Sequence, residues 1–462
     1  MSSTSFVSAA RAAFPALSPT SPLSINSQPY IFADNAGGSQ CSSHALHALT
    51  SYLTNTNVQL GASYSVSVSA TSRISEGLDA AQVLFNAESV EEVGFAASST
   101  VACDNIARAL EYGGEGGVKA GDEIIVTGEH EANAGPWKKL AQRVGASVKF
   151  WHTRHLTSIS PNNPYAVGLD VEDLLPLITS KTRIVAFTAT SNLLGSVVDV
   201  KSVVRRLREK AKEVGVRKVE VSVDCVAYAP HRRVDVRDWD IDFCFFSLYK
   251  VYGPHISTFY ARRSSLANSL GSLTHHFLPY SDPAHSTSWK IQPGGPGYEL
   301  VYATTGVLEY LLSLAPHSTT SPSPSSPPSF TFEAKVAQLD AAFTEIAKHE
   351  QTLVQPLLDY LKSKESRGVL IVGDERGGLG RVPTISFVVR GERPIRSKDV
   401  VEVFDKKGGI GIRYGHFYAY TLVENLSPKI DLDDAAVRIS LVHYNTTEEV
   451  QRIIEVLEEV LA

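Results

Sequence analysis

The sequence predicts an α/β protein: a mostly parallel sheet with helices on both faces, followed by a smaller α+β unit. Three observations carry this expectation. Between Val93 and Phe246, apolar strand-like runs alternate with amphipathic helical stretches, the pattern of a parallel sheet built with crossover helices. Polar residues (Glu129, His130, Asn133, Ser191, Asn192, Asp224, Lys250) stand at or just past the ends of those runs. Ligands of such sheets sit in that place, outside the carboxyl ends of the strands. A Ser/Pro-rich tract at 317–329 then separates this region from a C-terminal segment with a different order of elements.

Taken in order, residues 5–16 predict a short helix, and Tyr30 to Ser39 a strand entering a glycine turn. Gly37-Gly38 lets the backbone pass close to another segment or a ligand. His44 to Leu53 is helical in pattern, and Asn57 to Ser65 is a polar, glycine-containing loop. Val93 to Thr100 leads into Val101 to Leu110, a strand that turns into a helix through small hydroxyl residues. Ser99 and Thr100 there meet free amides and a helix dipole that favour an anion, although capping alone also accounts for them.

Asp122–Thr127, Ser147–Trp151, Thr182–Ala189, Lys218–Asp224 and Phe243–Phe246 read as strands. Ala134–Val144, Val171–Ile178 and Val200–Val214 read as helices, the last with Val203, Val204, Leu207 and Ala211 on one face. In the C-terminal segment Phe332 to Lys364 is helical, and Gly368–Gly373, Val382–Val389 and Ala436–Leu441 are strands. Thr446-x-x-Glu449 is a capping box that opens a final helix with Val450, Ile453, Ile454, Leu457 and Leu461 on one face. The expected division is an N-terminal segment, 1–45, packing with the small domain, a large domain at 46–316, a flexible insertion at 317–330 and a small domain at 331–462.

Composition narrows the function classes. A net charge of -6 gives no reason to expect nucleic acid or lipid as a partner. No apolar run approaches the length of a bilayer span, and Met1 to Thr20 lacks the compact apolar block of a secretory signal. The four cysteines, Cys41, Cys103, Cys225 and Cys244, have no metal-like spacing, which suits a reducing compartment and no structural metal. A cytoplasmic enzyme is the expectation.

The chemistry concentrates between residues 221 and 254. Val221 to Asp224 is a buried strand that ends on a carboxylate, and Phe243 to Phe246 runs into Ser247-x-x-Lys250 and Gly253-Pro254. A lysine just past a buried apolar strand is placed to lose its charge and become a nucleophilic amine. With an aspartate on the neighbouring strand to hold the proton of a pyridinium nitrogen, these are the two parts a pyridoxal phosphate site needs. On these residues alone a surface lysine and a helix-capping aspartate stand as the other reading.

Further landmarks decide between them: Asp34-Asn-Ala-Gly, Asn57-Val, Glu129-His-x-Ala-Asn-x-x-Pro-Trp137, Ser191-Asn-x-x-Gly195, Pro230-His231, Pro293-Gly-x-Pro296, Arg413-x-Gly415 and Arg438-x-Ser-x-x-x-Tyr-Asn445. In this order, from about residue 28 to the C-terminus, the chain resembles the class V aminotransferase group of fold-type I pyridoxal phosphate enzymes, and within it the cysteine desulfurase-like proteins. The resemblance implies a seven-stranded-type sheet, pyridoxal 5'-phosphate as cofactor, an amino acid as substrate and a homodimer with shared sites. Lys250 would form the internal aldimine and move protons, Asp224 would keep the ring nitrogen protonated, and His130 would stack on the ring. Asn192 would bond the ring hydroxyl, and Ser99, Thr100 and Ser247 would hold the phosphate. Arg438 would grip the substrate α-carboxylate, with a salt bridge in the small domain as the structural alternative. Arg413, Asn35, Ala36 and Tyr418 complete the substrate side as the resemblance implies it, Arg413 being equally open to a structural role.

Departures from the family pattern point to different chemistry. The loop after Arg-x-Gly-His, where desulfurases carry a persulfide cysteine, has Tyr418 in that position, and no cysteine follows Cys244. Sulfur transfer by a protein thiolate is therefore disfavoured. Tyr249 replaces the histidine of Ser-x-His-Lys, and Gly295 replaces a neighbour-subunit threonine at the phosphate. Leu60 and Ser63 stand where the opposing loop of the family has Arg and His. These features look like a branch of fungal secondary metabolism. The expected reaction is of lyase or cyclase type at Cα through a quinonoid, in one version a Mannich-like carbon–carbon bond formation. Tyr64, Tyr418 and Tyr420 could line such a pocket or simply pack. The alternatives are a cysteine desulfurase, selenocysteine lyase or class V aminotransferase activity, and a non-catalytic scaffold.

Overall fold

The computed structural model describes residues 3–18, 24–25, 28–275, 290–316 and 331–462. The Ser/Pro tract expected to be a flexible insertion lies outside the described residues.

Seven strands form the main sheet in the order Val93–Ala96, Ser257–Ala261, Phe243–Ser247, Glu220–Asp224, Thr182–Thr188, Glu123–Thr127 and Ser147–Trp151. The pairs from Phe243–Ser247 to Ser147–Trp151 are parallel, as the alternating pattern predicts. Ser257–Ala261 runs antiparallel to both of its neighbours, a direction that apolar periodicity cannot encode.

The sheet is buried on both sides because successive side chains point to opposite faces. Ile124, Val126, Ile184, Ala186, Phe243 and Phe245 pack with Ala102, Ile106, Trp137 and Leu140 of the helices Ser99–Glu111 and Glu131–Val144. Ile125, Val185, Phe187, Val221, Val223, Cys244 and Phe246 pack on the other side with Val203, Val204 and Leu207 of the helix Val200–Glu213. This places the helix Ser99–Glu111 directly against the strand that ends at Ser247 and its antiparallel neighbour Ser257–Ala261.

Helix limits differ modestly from expectation. The helix expected from Ala134 starts at Glu131, because His130 caps it by accepting from the Ala132 amide through Nδ1, 3.1 Å. The stretch expected as one helix over Val171–Ile178 is a short turn, Val171–Leu174, followed by a 3-10 turn, Leu175–Leu177, around Pro176. A helix over Ser65–Phe85 goes beyond the sequence reading. Its Ser- and Val-rich first half is a poor helix former, so packing must stabilise it. Gly77 provides the contact: a Cβ there would stand 2.5 Å from the Val301 carbonyl of the helix Tyr298–Ser313.

The second, antiparallel sheet has the order Val369–Val372, Thr384–Val389, Ala436–Ser440, Arg413–Gly415. The helices Phe332–Ser363 and Thr447–Val460 cover it, and Thr446 and Glu449 close the capping box read from the sequence. The N-terminal strand Ile31–Phe32 joins Ile410–Gly411 in parallel, and Asp34 bridges to Ser440. Residues 33–36 thereby run past Ser440, on the strand that carries Arg438.

Candidate active site

A cleft of about 910 Å³ opens beyond the carboxyl ends of the parallel strands. Lys250, His130, Asn192, Thr100, Tyr249, Ala36, Arg413, Arg438, Phe417 and Tyr418 line it. Ser99, Ser247 and Asp224 lie buried in the strand-end layer that bears these residues. Asn35 turns inward, its amide donating to the carbonyls of Phe32 and Ser440 at 2.8 and 3.0 Å. Gly295 is exposed and does not line the cleft of a single chain.

Lys250 ends a 3-10 turn, Leu248–Lys250, that follows the strand Phe243–Ser247 and leaves the side chain only 6% exposed. Burial, with the nearby Arg438 cation, lowers its pKa to about 8, against the opposing pull of Asp224 and Asp34. Asp224 ends the adjacent strand, where Oδ1 accepts from the Val226 amide at 2.9 Å. Burial raises its pKa to about 6, the amide and Lys250 acting the other way.

His130 is pushed down to about 4 by burial and by the charges of Lys250 and Arg438. Its ring is therefore neutral near pH 7, and the Ala132 amide at Nδ1 leaves the proton on Nε2. Its neighbour Glu129 is buried with Oε2 unpartnered, and burial raises its pKa to about 7. The sequence placed Glu129 at a strand end without a task for it.

Ser98, one residue earlier than the pair singled out by sequence, caps the helix Ser99–Glu111. The Ser99, Ser247 and Ser257 hydroxyls form a closed triangle of 2.7, 3.0 and 2.9 Å at that helix end. Thr100 faces the cleft from the first turn. Tyr249 stacks flat on His255, with centroids 4.8 Å apart.

One residue outside the sequence reading organises the other wall. The Phe417 carbonyl accepts from Asn192 Nδ2 at 2.8 Å, and its ring lies 4.0 Å from the Arg438 guanidinium carbon. Phe417 and Tyr418 both have positive φ, 51° and 61°, a conformation that sequence composition does not announce for side chains of this size. The turn leaves Tyr418 70% exposed, its ring centroid 5.6 Å from that of His130.

These residues fit a pyridoxal phosphate. Because Asn192 Nδ2 is committed to Phe417, its buried Oδ1 is left with no partner in the protein, ready for a hydroxyl donor. A buried amine of lowered pKa, a buried carboxylate one strand away and a hydroxyl-rich helix N-terminus match the carbonyl, ring nitrogen and phosphate in chemistry. Together with the two-sheet fold they define a pyridoxal-phosphate enzyme of fold type I.

Comparison with known proteins makes the assignment specific. The chain belongs to the class-V aminotransferase family, whose model (Aminotransferase class-V) matches residues 31–321 and 329–453. It is 38% identical to the aminotransferase-like protein FGM3 of Gibberella zeae, over 100% of both chains. It is 31% identical to the cysteine desulfurase-like protein ustD of Aspergillus flavus, over 72% of this chain and 66% of that one. An apo cysteine desulfurase from Thermococcus onnurineus NA1 shares the fold, with a TM-score of 0.73 and 21% identity over 94% of each chain. No helix among the described residues is long and apolar enough to cross a membrane.

The lowered pKa of Lys250 makes a direct prediction. An amine reacts with an aldehyde only when unprotonated, so its reactivity rises with pH through its pKa. Imine formation between the apoprotein and pyridoxal phosphate, followed by absorbance, is expected to reach half its maximal rate near pH 8. An ordinary lysine has its midpoint about two units higher.

Proposed function

We propose that the enzyme acts at the Cα of an amino-acid substrate in a lyase- or cyclase-type reaction, without a protein persulfide. One version is a Mannich-like carbon–carbon bond formation in secondary metabolism. The observation that carries this reading is the cleft wall at Tyr418, where an exposed phenol stands and no cysteine lines the cleft among the described residues. Cys103, Cys225 and Cys244 are buried and Cys41 is half-buried, away from the cleft lining.

When bound, pyridoxal phosphate supplies an electron sink that weakens the bonds at the substrate Cα. Lys250 would anchor it and accept the α-proton, a task suited to an amine whose pKa is near 8. Asp224 would face the ring nitrogen, and Asn192 Oδ1 the ring hydroxyl. Ser99, Thr100 and Ser247 would hold the phosphate at the helix N-terminus. His130 presents a neutral ring that can donate from Nε2 and cover one face of the site. Arg438 would orient the substrate through its carboxylate, since its Nε is buried and unpartnered. Tyr418 would offer an aromatic face to a cationic electrophile, whereas Tyr64 and Tyr420 do not line the cleft.

The name of the A. flavus relative, cysteine desulfurase-like, supports a second reading, removal of sulfur from cysteine. A second copy of the chain completing the site through the Gly295 segment and a cytoplasmic location are part of the same proposal. So is the division into a large domain at 46–316 and a small one at 331–462.

Incubating the holoenzyme with a panel of amino acids in deuterium oxide tests the reading. Deuterium entering Cα without sulfide release from cysteine is the expected outcome. Alanine and sulfide formed from cysteine at the rate of α-proton exchange, or sulfane sulfur on any of the four thiols, would overturn it.

A further inference from the structure

Arg413 and Arg438 are register partners on adjacent antiparallel strands, so two cations stand directly opposite each other at the mouth of the cleft. Like charges in that relation repel. Burial already holds the Arg438 pKa down, and Arg413 pushes it further, with Asp34 as the opposing influence. Asp34 lies between the two cations: Oδ1 accepts from Arg438 Nη2 at 2.9 Å and Oδ2 from Arg413 Nε at 2.8 Å.

The segment that carries Asp34 is fixed. Asp34 bridges to Ser440, the Asn35 backbone amide donates to the Ser440 carbonyl at 3.1 Å, and the Ala36 backbone amide donates to Ser440 Oγ at 2.9 Å. Gly37 leaves room for the carboxylate, since a Cβ there would come within 3.0 Å of Oδ2. The two arginines differ in what remains free. Arg438 is 2% exposed, with Nη1 donating to the Asn192 carbonyl at 3.1 Å and Nε unpartnered. Arg413 has a side chain 59% exposed and is held, among the described residues, by the one bond through Nε.

We infer that Asp34 is a positioning residue for substrate recognition: it locks the facing guanidinium groups and leaves a net single positive charge, which selects amino acids with one carboxylate. The inference rests on the proposed role of Arg438 in gripping that carboxylate. A substrate monocarboxylate meets Arg438 through its free N–H groups and balances the remaining charge. A second carboxylate finds Arg413 already neutralised and Asp34 repelling it.

The test is calorimetric titration of the holoenzyme with L-alanine and L-aspartate, which reads binding directly. In Asp34→Asn the ratio of the two affinities is expected to move toward aspartate by about tenfold, whereas a purely structural defect weakens both ligands alike. Asp34→Glu, which keeps the charge, is expected to retain the preference for alanine. Adding Arg413→Gln to Asp34→Asn returns the net charge to its original value and is expected to restore that preference. An unchanged ratio in a folded Asp34→Asn protein, or no restoration in the double variant, would overturn the inference. Should Asp34→Asn fail to fold, loss of the alanine preference in Asp34→Glu would overturn it, and retention would support it. Arg438→Lys separates the underlying reading: if it leaves both affinities unchanged, the role of Arg438 fails, independently of the ratio in the Asp34 variants.

Discussion

Lys250→Ala is expected to lower kcat by on the order of 10³-fold or more, because the proposed function gives this one amine both the anchoring and the acid–base role. Among the described residues Lys139 is the one other lysine of the cleft wall, and it is an exposed residue of the helix Glu131–Val144. The fold is expected to tolerate the change. Lys250 is buried without a close ion pair, so the protein loses little by giving up a group that burial already drives toward neutrality. A melting temperature at or above that of the parent, together with loss of the absorbance of lysine-linked cofactor, is the expected combination. Retained activity would require another amine to serve, and a collapsed melting curve would make the role of Lys250 structural.

Asp224→Asn carries the second large effect. The side chain keeps its size and the acceptor for the Val226 amide, so the change isolates the charge. A buried carboxylate facing a protonated ring nitrogen is a desolvated pair, and removing one partner costs about 3–5 kcal/mol. At about 1.4 kcal/mol per factor of ten, kcat is expected to fall by roughly 100- to 4,000-fold with a smaller change in KM. The pH dependence separates this from a packing defect. In the free protein burial raises the Asp224 pKa to about 6, so its charge is lost progressively as pH falls through that value. Cofactor affinity in the parent is therefore expected to weaken as pH falls through 6, and in Asp224→Asn to lose that dependence. Equilibrium titration with pyridoxal phosphate between pH 5 and 8 checks both statements; a parent curve flat across 6 would contradict them.

The strands that carry this pair were legible because their chemistry is local. Val221–Asp224 and Phe243–Phe246 are apolar runs buried on both faces, and each stops at a polar residue where the sheet ends. The same holds for Ser99 and Thr100 at the start of a helix, although the capping oxygen belongs to Ser98. Features that depend on distant chain segments were not legible. The helix Ser65–Phe85 owes its stability to the close approach of Gly77 to Val301, which no local propensity reports. Asp34 acquires its position from two arginines that lie 379 and 404 residues away in sequence and meet only because their strands pair. The left-handed turn at Phe417 and Tyr418 is of the same kind. Its side chains give no hint of it, yet it presents the carbonyl that orients Asn192 and the ring that packs on Arg438.

In the proposed function the amine of Lys250 carries the pyridoxal phosphate ring. Borohydride reduction of the holoenzyme, followed by proteolysis and mass spectrometry, measures this directly. A stable phosphopyridoxyl mass on the peptide containing Lys250, and on no other lysine, is the predicted result. The added mass on a different lysine, or no added mass in protein purified with excess cofactor, would contradict it.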